Sequence, residues 1–279
     1  MNIELIGIEA LQASFETHNA LGESGKEDLQ KNQFGDTAMR GDYEAEEAVL
    51  EVLRKYNLPA VIHSEEHGQV KITDEPSLLG VLDGIDGSSW YRSEWGVGRY
   101  GTMLGIYEGV NPQYKDYIFG GIMEHATKRL FYGIKGAGAW VIDLNSGEKK
   151  RIHTSDEHDL STSTRIHIDE YWDINNEVFR SKLDGYNVMP YKLCSSIHNT
   201  DTSMGEADLT LECTRKGSLE IATAFPLITE AGGAMVTLAG KSLSDEYYLK
   251  FGTVEHIPVI TAATPELAIK TASFFSKKL

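Results

Sequence analysis

The sequence predicts a two-part layered fold, an N-terminal α+β half over residues 1–148 and a C-terminal α/β half over residues 149–279. Three observations carry that expectation. Four β-like runs, Gly101–Tyr107, Tyr117–His125, Arg129–Ile134 and Ala139–Ile142, follow one another with glycines and polar turns between them, the mark of an antiparallel meander. From Arg165 onward strand-like and helix-like segments alternate, as an α/β layer requires. Between the two, Asn145-Ser146-Gly147-Glu148-Lys149-Lys150 turns polar and marks a boundary.

Taken in order, residues 2–21 place Ile3, Ile6, Leu11 and Phe15 at near-helical spacing, so the chain opens on an amphipathic helix. The polar, glycine-containing stretch Gly22–Asp36 reads as a mobile loop. Asp42 reads as an N-cap, because Ala45, Ala48, Val49, Val52, Leu53 and Tyr56 form one apolar stripe behind it. That helix stops near Asn57-Leu58-Pro59, and a short strand, Ala60–His63, runs into Ser64-Glu65-Glu66-His67-Gly68. The apolar run Leu78–Leu82 has the composition of a strand buried on both faces. In the second half, strands are expected near Arg165–Ile168, Val188–Tyr191, Asp208–Glu212, Ala234–Leu238 and Pro258–Thr261. Helices are expected near Tyr171–Leu183, Ser196–Gly205 and Leu219–Ala231, the last stopped by Gly232-Gly233, and after Pro265.

At 279 residues the chain can bury a substantial core. Its 41% apolar and 24% charged residues place it among globular proteins rather than disordered ones. No apolar run approaches the roughly 20 residues of a membrane helix. The acidic start, Met1-Asn2-Ile3-Glu4, lacks the basic-then-apolar order of a signal peptide. A cytoplasmic location with no membrane partner is therefore expected. The net charge of −16 argues against a nucleic-acid partner, whose phosphates would be repelled. Cys194 and Cys213 have no metal-like spacing and imply no disulfide framework.

The stretch that carries chemistry is Leu82-Asp83-Gly84-Ile85-Asp86-Gly87-Ser88-Ser89. Its two aspartates stand three residues apart, and the glycines let the backbone turn sharply enough for both carboxylates to converge. Carboxylates and a free backbone carbonyl, with Ile85 the candidate, are what a hard cation such as Mg²⁺ binds. The amides of Gly87, Ser88 and Ser89 are placed to hold a phosphate if a helix starts there. An Asp-Gly turn closing a hairpin has the same spelling, so the rest of the chain decides.

Other patterns lack the context their chemistry needs. Gly96–Gly101 spells G-x-G-x-x-G, but a β-like run follows where a dinucleotide site needs a helix. Gly240-Lys241-Ser242 resembles the end of a P-loop, yet Met235 stands where the first glycine belongs. Asp83–Glu94 has the length of a calcium loop, but Ile85 and Ser88 break its ligand and glycine positions. His63-Ser64-Glu65-Glu66-His67 spells the H-x-x-E-H of a zinc hydrolase, which needs a helix; here a β-like run precedes it and Gly68 closes it.

What remains is a set of carboxylates in separate segments: Asp36 and Asp42, Glu65 and Glu66, Asp83 and Asp86, and Glu220. In that order they resemble the inositol monophosphatase and fructose-1,6-bisphosphatase superfamily of metal-dependent, lithium-sensitive sugar phosphatases. Lys31 through Asp36 to Asp42 is similar to its K-x(4)-D-x(5)-D loop, and Ser64-Glu65-Glu66 to its E-E turn. Asp83–Ser88 is similar to D-P-[IL]-D-G-[ST], and Glu220 through Glu230-Ala231-Gly232-Gly233 to the final acidic residue leading to E-A-G-G. The resemblance runs from about Lys31 to Gly240. Gly84 stands where proline is usual, which loosens the turn without removing a ligand. Ser64-Glu65-Glu66, Ser88-Ser89 and Glu220 look more like the fructose-1,6-bisphosphatase branch, whereas Ala207–Glu212 resembles the A-D-x-x-x-E strand of the inositol branch.

The resemblance implies an αβαβα sandwich and hydrolysis of a small sugar or polyol phosphate, fructose-1,6-bisphosphate or inositol-1-phosphate foremost. The alternatives are an adenosine 3′,5′-bisphosphate phosphatase, a non-catalytic metal- or phosphate-binding member, and a zinc hydrolase built on His63 and His67. By the same resemblance Glu65, Asp83 and the Ile85 carbonyl hold one Mg²⁺, and Asp83 bridges to a second held by Asp86 and Glu220, such pairs standing about 3.5–4 Å apart. Glu66 and Asp36 serve a third, weaker ion. Ser88 with Asp42 orients and deprotonates the attacking water. Gly87, Ser88, Ser89 and the helix start at Ser195-Ser196 cradle the phosphate, although a plain N-cap accounts equally well for that serine pair. Glu212 takes a substrate hydroxyl, and Arg215 and Lys216 meet a sugar phosphate or face solvent. The expected partner is a small phosphate substrate, and the expected assembly a homodimer or larger homo-oligomer.

Overall fold

The computed structural model describes residues 1–170, 173–191 and 195–277, without the side chains of residues 190, 191, 195 and 216. Cys194 and the first two residues of the helix expected over Tyr171–Leu183 lie outside it. Helix α1 spans Ile3–Leu21. The following stretch is a hairpin rather than a loop, formed by β1 (Asp28–Lys31) and β2 (Thr37–Met39). Every residue of β1 is exposed, so no apolar alternation announces the strand. β2 runs directly into α2 (Arg40–Lys55), and the Arg40 amide donates to the Glu27 carbonyl at 2.8 Å. The helix therefore starts ahead of Asp42, with Met39 at the N-cap position, and Asp42 lies inside the first turn with its carboxylate not used as a cap.

Next come β3 (Ala60–Ser64), β4 (Gly68–Lys71), β5 (Leu78–Asp86) and the short α3 (Ser88–Ser93). The meander follows as β6 (Gly101–Glu108), β7 (Tyr117–Glu124), β8 (Arg129–Ile134), β9 (Gly138–Asp143) and β10 (Lys149–Ile152). These strands form one sheet in the order β10-β9-β8-β7-β6-β5-β3-β4, antiparallel except for the β3–β5 pair. Its hydrogen bonding continues to Ile152, past the polar stretch at 145–150.

The remaining helices are α4 (Asp173–Val178), α5 (Ser195–Ser203), α6 (Leu219–Ala231) and α7 (Pro265–Ser276). A second sheet gathers β11 (Ile166–Asp169), β12 (Val188–Tyr191), β13 (Leu209–Cys213), β14 (Ala234–Thr237) and β15 (Pro258–Ala262) in the order β12-β11-β13-β15-β14. It is mixed, with β11 parallel to both its neighbours and β15 antiparallel to both of its own.

Three cores stack the layers. Ile6 and Leu11 of α1 and Val49 and Leu53 of α2 pack on Ile62, Leu82, Leu104 and Phe119 of the first sheet. On the opposite face Ile197 of α5 and Ile221 and Phe225 of α6 meet Val81, Met103 and Phe131, together with Met235 and Val259 of the second sheet. Leu267 and Phe275 of α7 close the far side over Ile168, Leu211 and Ile260. The result is an αβαβα sandwich. β5 lies inside the first sheet with helices on both faces, which is why its sequence is a near-continuous apolar run. Among the described residues no helix is long and apolar enough to cross a membrane.

Candidate active site

The carboxylates converge where β5 ends. In a regular strand residues three apart point to opposite faces. Here Asp83 stands opposite Met103 and Asp86 opposite Gly101, so β5 carries one more residue than its partner over that interval. The bulge turns both aspartates toward one cavity of about 520 Å³. Asp36, Glu65, Ile85, Gly87, Ser88, Ser89, Arg215 and Glu220 line the same cavity, as do Phe34, Leu219, Val254 and His256.

Two glycines make this turn. A Cβ on Gly84 would lie 2.3 Å from the Asp42 carbonyl oxygen, so glycine is what lets the first turn of α2 press against the motif. Gly87 takes the left-handed conformation, φ 90°, at the start of α3, where the Ser88 and Ser89 amides have no acceptor within the helix. Asp42 and Glu66 lie just behind the cavity, close enough for their charges to act on Asp83 and Glu65.

Glu46, which the sequence reading passed over, holds this half of the site in shape. It is fully buried and accepts the Glu65 amide at 3.0 Å, the Glu66 amide at 3.1 Å, His67 Nδ1 at 2.8 Å and the Ser64 hydroxyl. One carboxylate thus organises the whole Ser64–His67 turn. Its signal was available: Asp42 and Glu46 are i and i+4 on α2 and share a face. The hairpin adds a second tie, since Asn32 Nδ2 donates to Glu66 at 3.2 Å and Gln33 Nε2 to the Ser64 carbonyl at 2.5 Å. The imidazoles proposed for zinc do not meet. His63 Nε2 faces Gln69 at 3.3 Å, while His67 lies between Glu46 and Glu47 and stacks on Tyr43.

Electrostatics divide the site. Burial raises the Asp83 pKa well above the usual carboxylate range, and Glu65, Asp42, Asp86 and Glu220 push it further. Burial does the same to Asp42, helped by Glu65, Glu66 and Glu46. Glu65 is pushed up to about 8 by burial and by Glu46 and Glu66, and Glu66 to about 7, chiefly by burial. Asp42 Oδ1, Asp83 Oδ1 and Glu66 Oε2 are buried without a hydrogen-bond partner. Buried anions of this kind are costly unless a cation joins them. Among the described residues no three such side chains are already gathered as a metal site, so an ion would have to draw them together.

The Asp86 side is different. Asp86 Oδ2 accepts the Ser196 amide at 2.9 Å and the Ser196 hydroxyl at 2.6 Å, so Ser196 positions Asp86 instead of cradling phosphate. Arg215 forms an ion pair with Glu220 and lies 3.5 Å from Asp86 Oδ1. Burial raises the Glu220 pKa, and Arg215 opposes that rise. Glu212 is buried beneath, accepting from Asn199 at 3.0 Å, and does not line the cavity. The side chains of Ser195 and Lys216 lie outside the described residues. Ser88 is exposed at the cavity mouth, and no hydrogen bond joins it to Asp42. His256 also lines the cavity, and its Nδ1 donates to the Thr214 carbonyl at 2.7 Å.

The sequence matches the profile of the inositol monophosphatase family over residues 2–274. The chain belongs to that family. Its members are metal-dependent phosphomonoester hydrolases. A fructose-1,6-bisphosphatase/inositol-1-monophosphatase of Methanothermobacter thermautotrophicus is 29% identical over 130 residues, a match that spans 44% of this chain and 44% of that protein. The family fold is seen in the IMPase of Thermotoga maritima, 18% identical with a TM-score of 0.74 over 100% of this chain and 99% of that one. The SuhB extragenic suppressor protein of Bartonella henselae is 14% identical with a TM-score of 0.78 over 99% of both chains.

Proposed function

We propose that this inositol monophosphatase family member is a Mg²⁺-dependent hydrolase of small sugar or polyol phosphate monoesters, with fructose-1,6-bisphosphate and inositol-1-phosphate its foremost substrates. The observation that supports it most is the set of carboxylates with buried, partnerless oxygens, Asp42, Asp83 and Glu66, around the Asp83–Ser89 turn. Such oxygens fit a hard, oxygen-seeking cation. Glu65, Asp83 and the Ile85 carbonyl would hold one Mg²⁺, Asp83, Asp86 and Glu220 a second, and Glu66 and Asp36 a third, weaker one. When bound, the ions supply charge neutralisation for the phosphoryl group and a lowered pKa for water.

The protein's own contribution is positioning. The bulge after Asp83 aims two carboxylates at one point, and Glu46 fixes the Glu65–Glu66 turn beside them. The Ser88 and Ser89 amides, without helical acceptors, face a phosphate placed in the cavity. Asp42 and Ser88 orient and deprotonate the attacking water. Phe34, Leu219 and Val254 add apolar side chains to the lining of the cavity. Homo-oligomeric assembly belongs to the same proposal and is read by light scattering.

A phosphate-release screen over fructose-1,6-bisphosphate, inositol-1-phosphate, adenosine 3′,5′-bisphosphate and glycerol phosphates tests the proposal. Turnover of one of the first two in Mg²⁺, abolished by excess chelator and weakened by millimolar lithium, is the expected result. Turnover that survives chelation, or none on any substrate, contradicts it.

A further inference from the structure

We propose that Arg215 is a resident counter-cation in the Asp86–Glu220 half of the site, and that it must swing away before a metal ion can enter there. The phosphate of a substrate is what draws it out. This rests on the hydrolase reading above and adds an order of loading to it.

The geometry makes Arg215 an occupant. Its Nη2 pairs with the Glu220 carboxylate and stands 3.5 Å from Asp86 Oδ1. The other Asp86 oxygen is taken by the Ser196 amide and hydroxyl, so both oxygens of Asp86 already have positive or donor partners. Asp169 and Glu212 add to the field of Glu220 and Asp86, and together these four acids offset burial and keep the guanidinium charged. The opposite half offers the control: Asp42, Asp83 and Glu66 keep bare buried oxygens.

A divalent ion bound to Asp86 and Glu220 would stand beside the guanidinium, and two cations at such range in a half-buried cavity repel strongly. Entry of the ion therefore requires the guanidinium to leave. Arg215 can do so, because it precedes α6 in extended backbone, its side chain is 19% exposed, and it lines the cavity where the phosphate is expected. A phosphate matches the guanidinium fork in a bidentate pair. Phosphate thus favours the withdrawn Arg215 and the withdrawn Arg215 favours the ion, so each raises the affinity of the other by the same factor.

Mn²⁺ counted by electron paramagnetic resonance of the free ion tests this without turnover. The parent protein should bind one ion tightly, and inorganic phosphate should tighten a second by roughly tenfold or more. Arg215→Gln should bind two ions without phosphate, and phosphate should no longer sharpen the second. Arg215→Lys keeps a cation there and should keep the one-ion pattern; the parent titration stands by itself if Arg215→Gln does not fold. Two ions of equal affinity in the phosphate-free parent overturn the proposal, as does an unchanged count in folded Arg215→Gln. No bound ion in any of the three proteins instead overturns the hydrolase reading beneath it.

Discussion

Asp83 and Asp86 leave one strand three residues apart and meet opposite surroundings. Asp83 enters a crowd of acids, Asp42, Glu65 and beyond them Glu66, where charge and burial raise the pKa values and where Asp42, Asp83 and Glu66 each keep a buried oxygen without a partner. Asp86 enters a neutralised setting, with Ser196 on one oxygen and Arg215 near the other. One half stores electrostatic strain and the other is satisfied within the chain. The difference teaches that a row of carboxylates does not make equivalent metal sites. What decides is which donors the fold brings to each oxygen.

Substitution at Asp83 should break the comparison most severely. Asp83→Asn removes a carboxylate that feels Asp42 and Glu65 on one side and Asp86 and Glu220 on the other, so phosphate release should fall by orders of magnitude. The metal-free protein should hold or gain melting temperature, because one of several mutually repelling acids is gone. Retained activity would show that Asp83 is not the shared ligand.

Glu220→Gln should act on the second half alone. Its carboxylate lies in the first turn of α6 and is paired with Arg215, so a helix-dipole role would cost only about 0.3–1 kcal/mol of stability. As a metal ligand, its loss should cut turnover at low Mg²⁺ and leave a rate that recovers only at much higher Mg²⁺. A titration like the parent's would move that ligand elsewhere.

Glu46→Gln sharpens the other side. Glu46 would touch no ion, yet it sets the turn that presents Glu65 and Glu66. Metal affinity should weaken by about 10–100-fold, the usual effect of losing a group that orients ligands. Calorimetric titration with Mg²⁺ reads it directly, and the Km for substrate at saturating Mg²⁺ should stay near that of the parent.

Much of the fold was legible because its elements are punctuated. The glycine-separated runs from Gly101 to Ile142 became β6 to β9, and the helix expected over Leu219–Ala231 has those bounds. The β1–β2 hairpin was not legible, since a fully exposed polar strand has no alternation to read. The apolar stripe that starts at Ala45 points to Asp42 as the cap, whereas a hairpin strand feeding the helix at Arg40 places the start earlier. Glu46 looked like one more acid on an amphipathic helix, and only the pairing of β3 with β5 buries it under the Glu65–Glu66 turn. The sequence leaves Arg215 facing a ligand or solvent, because no spacing rule says that a side chain five residues before Glu220 folds back on it.

The smallest effect is also the most direct test of the central claim, that the Asp83 half is held open for a cation. With Glu65 raised to about 8 and Glu66 to about 7 from an ordinary 4.5, the folded metal-free protein keeps protons that the unfolded chain has released. Their contribution to stability is full below pH 4.5 and is lost as pH rises through 7 and 8. His18 and His167, lowered by burial from 6.5 to about 4, and His63, His125 and His198, also lowered by burial, act in the opposite sense and add stability as pH climbs through 6.5. The histidines contribute alike with and without metal, so over the interval from pH 6.5 to 8 the difference between the two conditions isolates the carboxylates. Melting temperature should be followed across it, once in chelator and once in saturating Mg²⁺. The account predicts that the curve in chelator falls away from the curve in Mg²⁺ by a few degrees as pH rises, since the ion favours the deprotonated acids. Parallel curves with and without Mg²⁺ would contradict it.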